Sequence, residues 1–417
     1  MRAAALLLLA AASPALAPPA RSQAPPDSAT FGADFDAMWT FVADEYAYPE
    51  RSVADWPAVR RLYRPEAVAA PSRRAFVGVL ERALAELADA HAHLGTNTPD
   101  SPRLVPSGSD VWAGWHVSDA GAWEVLVWDV RAGSEAERAG LQPGAVIDSL
   151  DGRSVREATD ARLPRTRTRT DEATDNWALN AALAGTHDRP VRLTLADGRT
   201  VTFTPGETRL PEGLLTFEVR PDGIGVVRIL NSLGDTRLIA AWDSALVALL
   251  GTRGLILDLR DTPGGGNTTV ARGLMGRLVA EERPYQRHER PSEERETGVR
   301  HTWLELVSPR GPFTYTAPVA VAVGPWTASM GEGTAIGLDG MCRAVVAGSQ
   351  MAGLLGALGE IRLPDTGVVV RIPTERLTHI DGTPREAFGP VLHHTDDAVE
   401  YAATLIHLNW RGLNCED

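Results

Sequence analysis

The apolar positions of the chain fall into three successive patterns. In residues 31–93 they recur at helical spacing: Phe35, Met38, Trp39 and Val42 share one helix face, and Phe76, Val79, Leu80, Ala83, Leu84 and Leu87 share another. Residues 108–206 mix short strands with short helices. Residues 125–128 are apolar throughout, 134–140 form a short helix capped by Ser134 and closed by Gly140, and 145–152 form a strand and a turn. From residue 214 onward, compact apolar runs alternate with helical spacing. Strands are predicted over 225–229, 255–259, 318–323, 343–347 and 368–372, and helices over 240–250, 269–280, from 334 onward and over 398–408. Such alternation predicts an α/β layered fold. Residues 281–300 are densely charged and contain Pro284 and Pro291, so an exposed loop overhanging a cleft is expected there.

The amino terminus follows none of these patterns. Residues 1–17 carry Arg2, an apolar run over 3–12 and the triplet Ala15-Leu16-Ala17, the features of a secretory signal peptide cleaved near Ala17. The run is too short to span a bilayer, and no later stretch reaches that length. Residues 18–30, rich in Pro, Ser and Ala, read as a linker. The expected plan is a helical domain over 31–107, a β-rich domain over 108–206 and an α/β core over 207–417. A chain of 417 residues is too long for one core. A secreted or periplasmic location follows from the leader. The net charge of −13 argues against nucleic acid as a partner. Residues 165–169 alternate Arg with Thr without interleaved aromatics, and read as solvated surface. Cys342 and Cys415, the two cysteines, could form one bridge in an oxidising compartment or remain two buried thiols.

Candidate chemistry concentrates in two glycine-rich turns. Residues 324–333 carry Ser329 among small residues, between a predicted strand and a predicted helix. Such a turn can hold a hydroxyl beside free N–H groups at a helix start, as acyl transfer requires, although a simple capping serine would look the same. Residues 255–267 end a strand in Gly264-Gly265-Gly266. Glycines there permit close backbone approach and an anion-binding nest. No lysine follows them, and the spacing is not that of a phosphate loop. A nucleophile elbow G-x-S-x-G is also absent, because position 327 is Thr. His91 and His93 stand two apart without a third ligand at supporting spacing, so no metal is implied.

Asp258-Leu259-Arg260, Gly264-Gly265 and Thr327-Ala328-Ser329 with Glu332 together resemble the carboxyl-terminal processing (tail-specific) serine peptidases and the tricorn protease core. Thr262, where the family usually has Asn, and Met330-Gly331 depart from the pattern. The resemblance implies a crotonase-like α/β core, a peptide or protein substrate and no cofactor. Residues 134–152 resemble a PDZ domain in their spacing of Ala136, Ala139-Gly140-Leu141, Gly144 and Gly152, with Ala145 in place of the motif's Asp. Residues 113–116 match the carboxylate-binding loop of such domains weakly. Asp89-Ala90-His91 matches the D-x-H of tricorn-like members, which implies His91 rather than His93 as general base. Tail-specific relatives pair their serine with a lysine, but this sequence contains none, so a Ser–Lys dyad is excluded. The implied mechanism has Ser329 as nucleophile, His91 as base, and backbone N–H groups of Gly264 or Gly265 and of Met330 as the oxyanion hole. Glu386 is expected to orient His91, ahead of Glu332, Glu360 and Glu375. A peptide-binding protein with a silent cleft and a serine esterase are the alternatives.

Overall fold

The computed structural model describes residues 28–392 and 397–409. The leader, most of the linker and Cys415 lie outside them. The centre is a sheet whose strands run in the order Val391–Leu392, Ala344–Gly348, Val319–Val323, Leu255–Asp258 and Gly225–Ile229, all parallel, with Leu215–Val219 antiparallel at the edge. Every residue of the strands Ala344–Gly348, Val319–Val323 and Leu255–Asp258 is buried. That is why they appear in the sequence as unbroken apolar runs: a parallel sheet is covered on both faces. Helices Arg237–Leu249, Thr268–Met275 and Met330–Gly340 cover one face through Trp242, Leu246, Leu274 and Ile336. Helix Ala398–His407 covers the other through Ala402, Ala403, Leu405 and Ile406.

The expected loop over 281–300 is instead ordered secondary structure. Strands Arg283–Glu289 and Thr302–Val307, joined across helix Pro291–Thr297, build part of a second sheet with Ala357–Arg362, Val369–Thr378 and His93–Leu94. Tyr285 and His288 turn inward while Arg283 and Arg287 face solvent, so dense charge hid an amphipathic strand. Pro284 falls at a register shift and Pro291 in the first turn of its helix, two positions that tolerate proline.

Helices Ser28–Glu45, Trp56–Val68 and Arg73–Ala85 bury the predicted faces, the last two capped by Asp55 and Ser72. Their core is not closed by themselves: Leu363, Val368, Val370 and Ile372 enter it, and His93–Leu94 pairs antiparallel with Val369–Thr378. Residues 108–206 have their own core under a sheet ordered Val111–Val117, Trp123–Val130, Val146–Leu150, Val191–Leu195 and Thr200–Phe203. Two buried polar clusters are among the contacts that fasten this module. Buried Glu86 accepts from the N–H groups of Arg165 and Thr166, the Thr166 hydroxyl and the Tyr63 hydroxyl. Buried Arg131 donates two N–H groups to Oδ1 of buried Asp261, at 3.2 and 2.9 Å. In the Arg–Thr run, Thr166 and Thr168 anchor through Glu86 and the Val53 carbonyl, Arg167 bridges Ala54 through its backbone, and the Arg side chains stay exposed, Arg169 donating to the Arg51 carbonyl. Cys342 is disulfide-bonded.

Candidate active site

Ser329 sits where the sequence predicts it, at the end of the turn between strand Val319–Val323 and helix Met330–Gly340. Its φ is +51° with ψ −109°, a conformation that costs a non-glycine residue about 1–3 kcal/mol and persists only when its surroundings impose it. The surroundings are specific. Glu332, fully buried, accepts from the Ser329 N–H at 2.7 Å and from the N–H groups of Gly353 and Leu354 at 2.9 and 3.3 Å. Burial pushes its carboxyl up to about 7, against the opposing pull of Arg385 and these three amides. Glu332 thus does more than favour a helix start: it ties the serine turn to the loop at 351–356.

The second glycine turn lies against the first. Thr262 and Thr327 form a parallel bridge, and both hydroxyls donate to the Leu259 carbonyl, at 2.8 and 2.9 Å. A Cβ on Gly265 would stand 2.7 Å from Ser329 Cβ and 3.1 Å from its Oγ, and φ there is +61°, so only glycine fits. The expected oxyanion donors are corrected in part. The Gly264 N–H donates to the Asn231 carbonyl at 2.9 Å, and the Gly265 N–H to Thr262 at 3.2 Å. Leu233 pairs with Gly265 O and Asn267 N, and strand alternation turns the Gly266 N–H to the opposite side. Among the described residues, the N–H groups of Gly266 and Met330 have no hydrogen-bond partner.

His91 contacts the same 351–356 loop. It is buried, and its Nδ1 meets the Leu355 carbonyl at 2.6 Å. A carbonyl can only accept, so Nδ1 carries the proton and Nε2 keeps the basic lone pair. Burial first, then the Arg385 guanidinium, lowers the imidazole to about 3, leaving it neutral near pH 7. Asp89 shapes this turn: its Oδ1 accepts from the His91 N–H at 2.8 Å and its Oδ2 from the Tyr46 hydroxyl at 2.9 Å. His93 directs Nδ1 to the His91 carbonyl at 2.8 Å. No hydrogen bond joins Ser329 to His91 among the described residues.

The orienting role expected of Glu386 is filled by the Leu355 carbonyl. Glu386 is bonded to Arg51 instead, and its buried Oε2 has no partner among the described residues. It lines a cavity of about 590 Å³ whose wall includes Asp89, Ala90, Leu354 and Leu355. Glu375 is engaged by His288 Nδ1 at 2.9 Å, and Glu360 pairs with Arg371 on the surface, so neither reaches His91. Residues 113–116, the candidate carboxylate loop, lie within strand Val111–Val117, and Asn180 bonds both the N–H and the carbonyl of Ala113. Sequence reasoning missed the Leu355 carbonyl and buried Arg385, which donates to the Leu354 and Gly356 carbonyls at 2.6 and 2.8 Å. A backbone acceptor leaves no mark in side-chain identity. An arginine in a turn gives no sign that it is buried.

A strained serine at a helix start, braced by a glycine turn, has the layout of a serine-type peptidase, and the family comparison gives the same class. Residues 223–389 match the model of peptidase family S41, and residues 27–85 match the tricorn protease C1 domain. Over residues 223–389 the chain is similar to family S41, and this match supports a serine-type peptidase. Among solved structures, mature CPAF is similar over 92% of this chain and 97% of its own, at 15% identity and TM-score 0.60. The photosystem II D1 C-terminal processing protease is similar over 87% and 92%, at 19% identity and TM-score 0.52. A lipoprotein from Streptococcus agalactiae is similar over 93% and 98%, at 15% identity and TM-score 0.51. At these identities the likeness concerns the fold. No curated protein matches the chain.

Proposed function

We propose that this protein is an exported peptidase that cleaves peptide bonds with Ser329 as nucleophile and His91 as general base. The core is read as crotonase-like, and residues 108–206 as a PDZ-like module beside the cleft. The observation that carries the reading is the Ser329 turn: a strained φ of +51°, contact with Gly265, and an unengaged Met330 N–H at the helix start. Ser329 Oγ attacks the scissile carbonyl carbon, and its proton passes to His91 Nε2. The oxyanion receives hydrogen bonds from Met330 and Gly266. Collapse expels the amine, which takes the proton from His91. Water, deprotonated by His91, then attacks the acyl carbonyl, and as the C–Oγ bond breaks His91 returns the proton to Ser329 Oγ, releasing the acid.

The loop at 351–356 is bonded to Glu332 on the serine side and to His91 on the other. In this reading it shifts when substrate binds and brings Nε2 to the hydroxyl, as lids do in other enzymes. Glu386 supplies the carboxylate charge from the cavity wall, acting on His91 through intervening groups. Substrate enters the cavity of about 590 Å³. The absence of a Ser329–His91 hydrogen bond favours a second reading, a peptide binder without turnover. Turnover of a fluorogenic peptide separates the two. Ser329→Ala is expected to lose about 10⁴-fold or more in rate with an unchanged melting temperature. Retained turnover would remove Ser329 from the mechanism, and none in the native enzyme would favour the binder. Export is checked by sequencing the mature amino terminus, expected just after Ala17.

A further inference from the structure

A second cavity, of about 260 Å³, lies between the helical unit and the β-rich module. Its apolar wall includes Leu84, Leu94, Val105, Leu163 and Trp177, and exposed Asn97, Ala161 and Arg165 line it towards solvent. Arg103 and Arg162 also line it. Arg103 is buried and donates to backbone carbonyls of Ala184, Thr186 and Arg189. The Arg162 guanidinium has no hydrogen bond or ion pair among the described residues. Burial lowers its affinity for the proton, and the charge of Arg189 lowers it further. The carboxylates on the wall are committed elsewhere. Glu86 is bonded to Tyr63 and to the 165–166 backbone, Glu81 to Ser101, and Asp89 to Tyr46 and the His91 N–H. Glu81 is also held above the usual carboxylate range by burial. A chain with a net charge of −13 therefore keeps a guanidinium without a counter-ion in an apolar recess.

A half-buried guanidinium without a protein partner leaves its N–H donors open to a bound anion through charge-assisted hydrogen bonds. Leucine, valine and tryptophan side chains around it suit an apolar body attached to the anionic head. We propose that this recess binds a small amphipathic monocarboxylate, its head on Arg162 and its apolar tail against Trp177 and Leu163. Asp89, Ala90, Val105 and Trp177 line both this recess and the 590 Å³ cavity, and His93 lines the recess two residues beyond His91. An occupant would press on the wall that carries the candidate base, although the site itself does not depend on the catalytic reading.

Calorimetric titration of the full-length protein with decanoate, at low ionic strength, tests the proposal without reference to turnover. Saturable one-site binding is expected, weakened at least about tenfold by Arg162→Gln through loss of the charge-assisted hydrogen bonds. Decanol, with the same tail and no charge, should bind more weakly than decanoate. Ala181→Leu, which fills the recess from helix Glu172–Ala184 without touching a charge, should also weaken decanoate. Melting curves establish that both variants are folded; if Arg162→Gln does not fold, Ala181→Leu and decanol decide. No saturable binding, unchanged affinity in either folded variant, or decanol as tight as decanoate would overturn the proposal.

Discussion

The turn that carries Ser329 and the turn that carries His91 are built in opposite ways. The serine turn is local. Its strand, its helix, the Glu332 three residues on and the neighbouring glycine turn all belong to one α/β layer. The histidine turn is assembled from afar: Asp89 fixes its backbone, Tyr46 fixes Asp89, and the Leu355 carbonyl fixes the ring. One site is a rigid product of strand-to-helix geometry. The other rests on side chains and a loop that come from three parts of the chain. On the proposed reading Ser329 is held by its own turn, whereas alignment of His91 depends on the 351–356 loop, which is bonded to Glu332 and to His91.

The sharpest way to break this comparison is at the histidine. His91→Ala should lower kcat/KM on a fluorogenic peptide by about 10³-fold, within the range for loss of a general base. His93→Ala should stay near the native rate, and equal losses in the two variants would discard the distinction between them. On the serine side, Gly265→Ala forces a Cβ against Ser329 Cβ at 2.7 Å and places alanine at φ +61°. A loss of about 10²–10³-fold in kcat is expected, as when an oxyanion donor is displaced. A fully active variant would show that the two glycine turns do not act together.

Glu332→Gln probes the link between the turns. The carboxylate takes three N–H donors, and an amide would oppose one of them with its own NH₂. We expect a loss of about 2–4 kcal/mol in unfolding free energy, read by denaturant titration, together with reduced turnover. Glu386→Gln should have the smallest effect, about tenfold in kcat. The tautomer of His91 is already set by the Leu355 carbonyl, so only remote charge is removed. A collapse of several orders of magnitude would mean that Glu386 reaches His91 directly in the working enzyme.

This contrast also explains how far the sequence could be read. Buried parallel strands such as Val319–Val323 announce themselves as unbroken apolar runs, and the serine turn follows from what flanks it. Asp89 and His91 were legible as a motif but not as a geometry, because their partners Tyr46 and Leu355 lie far away in sequence. Residues 281–300 misled for a different reason. Charge density pointed to a loop, whereas Tyr285, Gln286 and His288 are buried and partnered with Glu305. Partnered polar groups belong in an interior, and only the partner's position reveals it. The shared core of the helical unit was hidden likewise, since Val368, Val370 and Ile372 serve it from the other end of the chain.

The central claim is that Ser329 is the nucleophile and His91 the group that activates it. A fluorophosphonate probe, followed by mass mapping of the labelled peptide, tests this most directly, because only an activated serine reacts stoichiometrically. One label per chain is expected, on Ser329, absent in Ser329→Ala and greatly slowed in His91→Ala but not in His93→Ala. A label on another serine, or a labelling rate indifferent to His91, would contradict it.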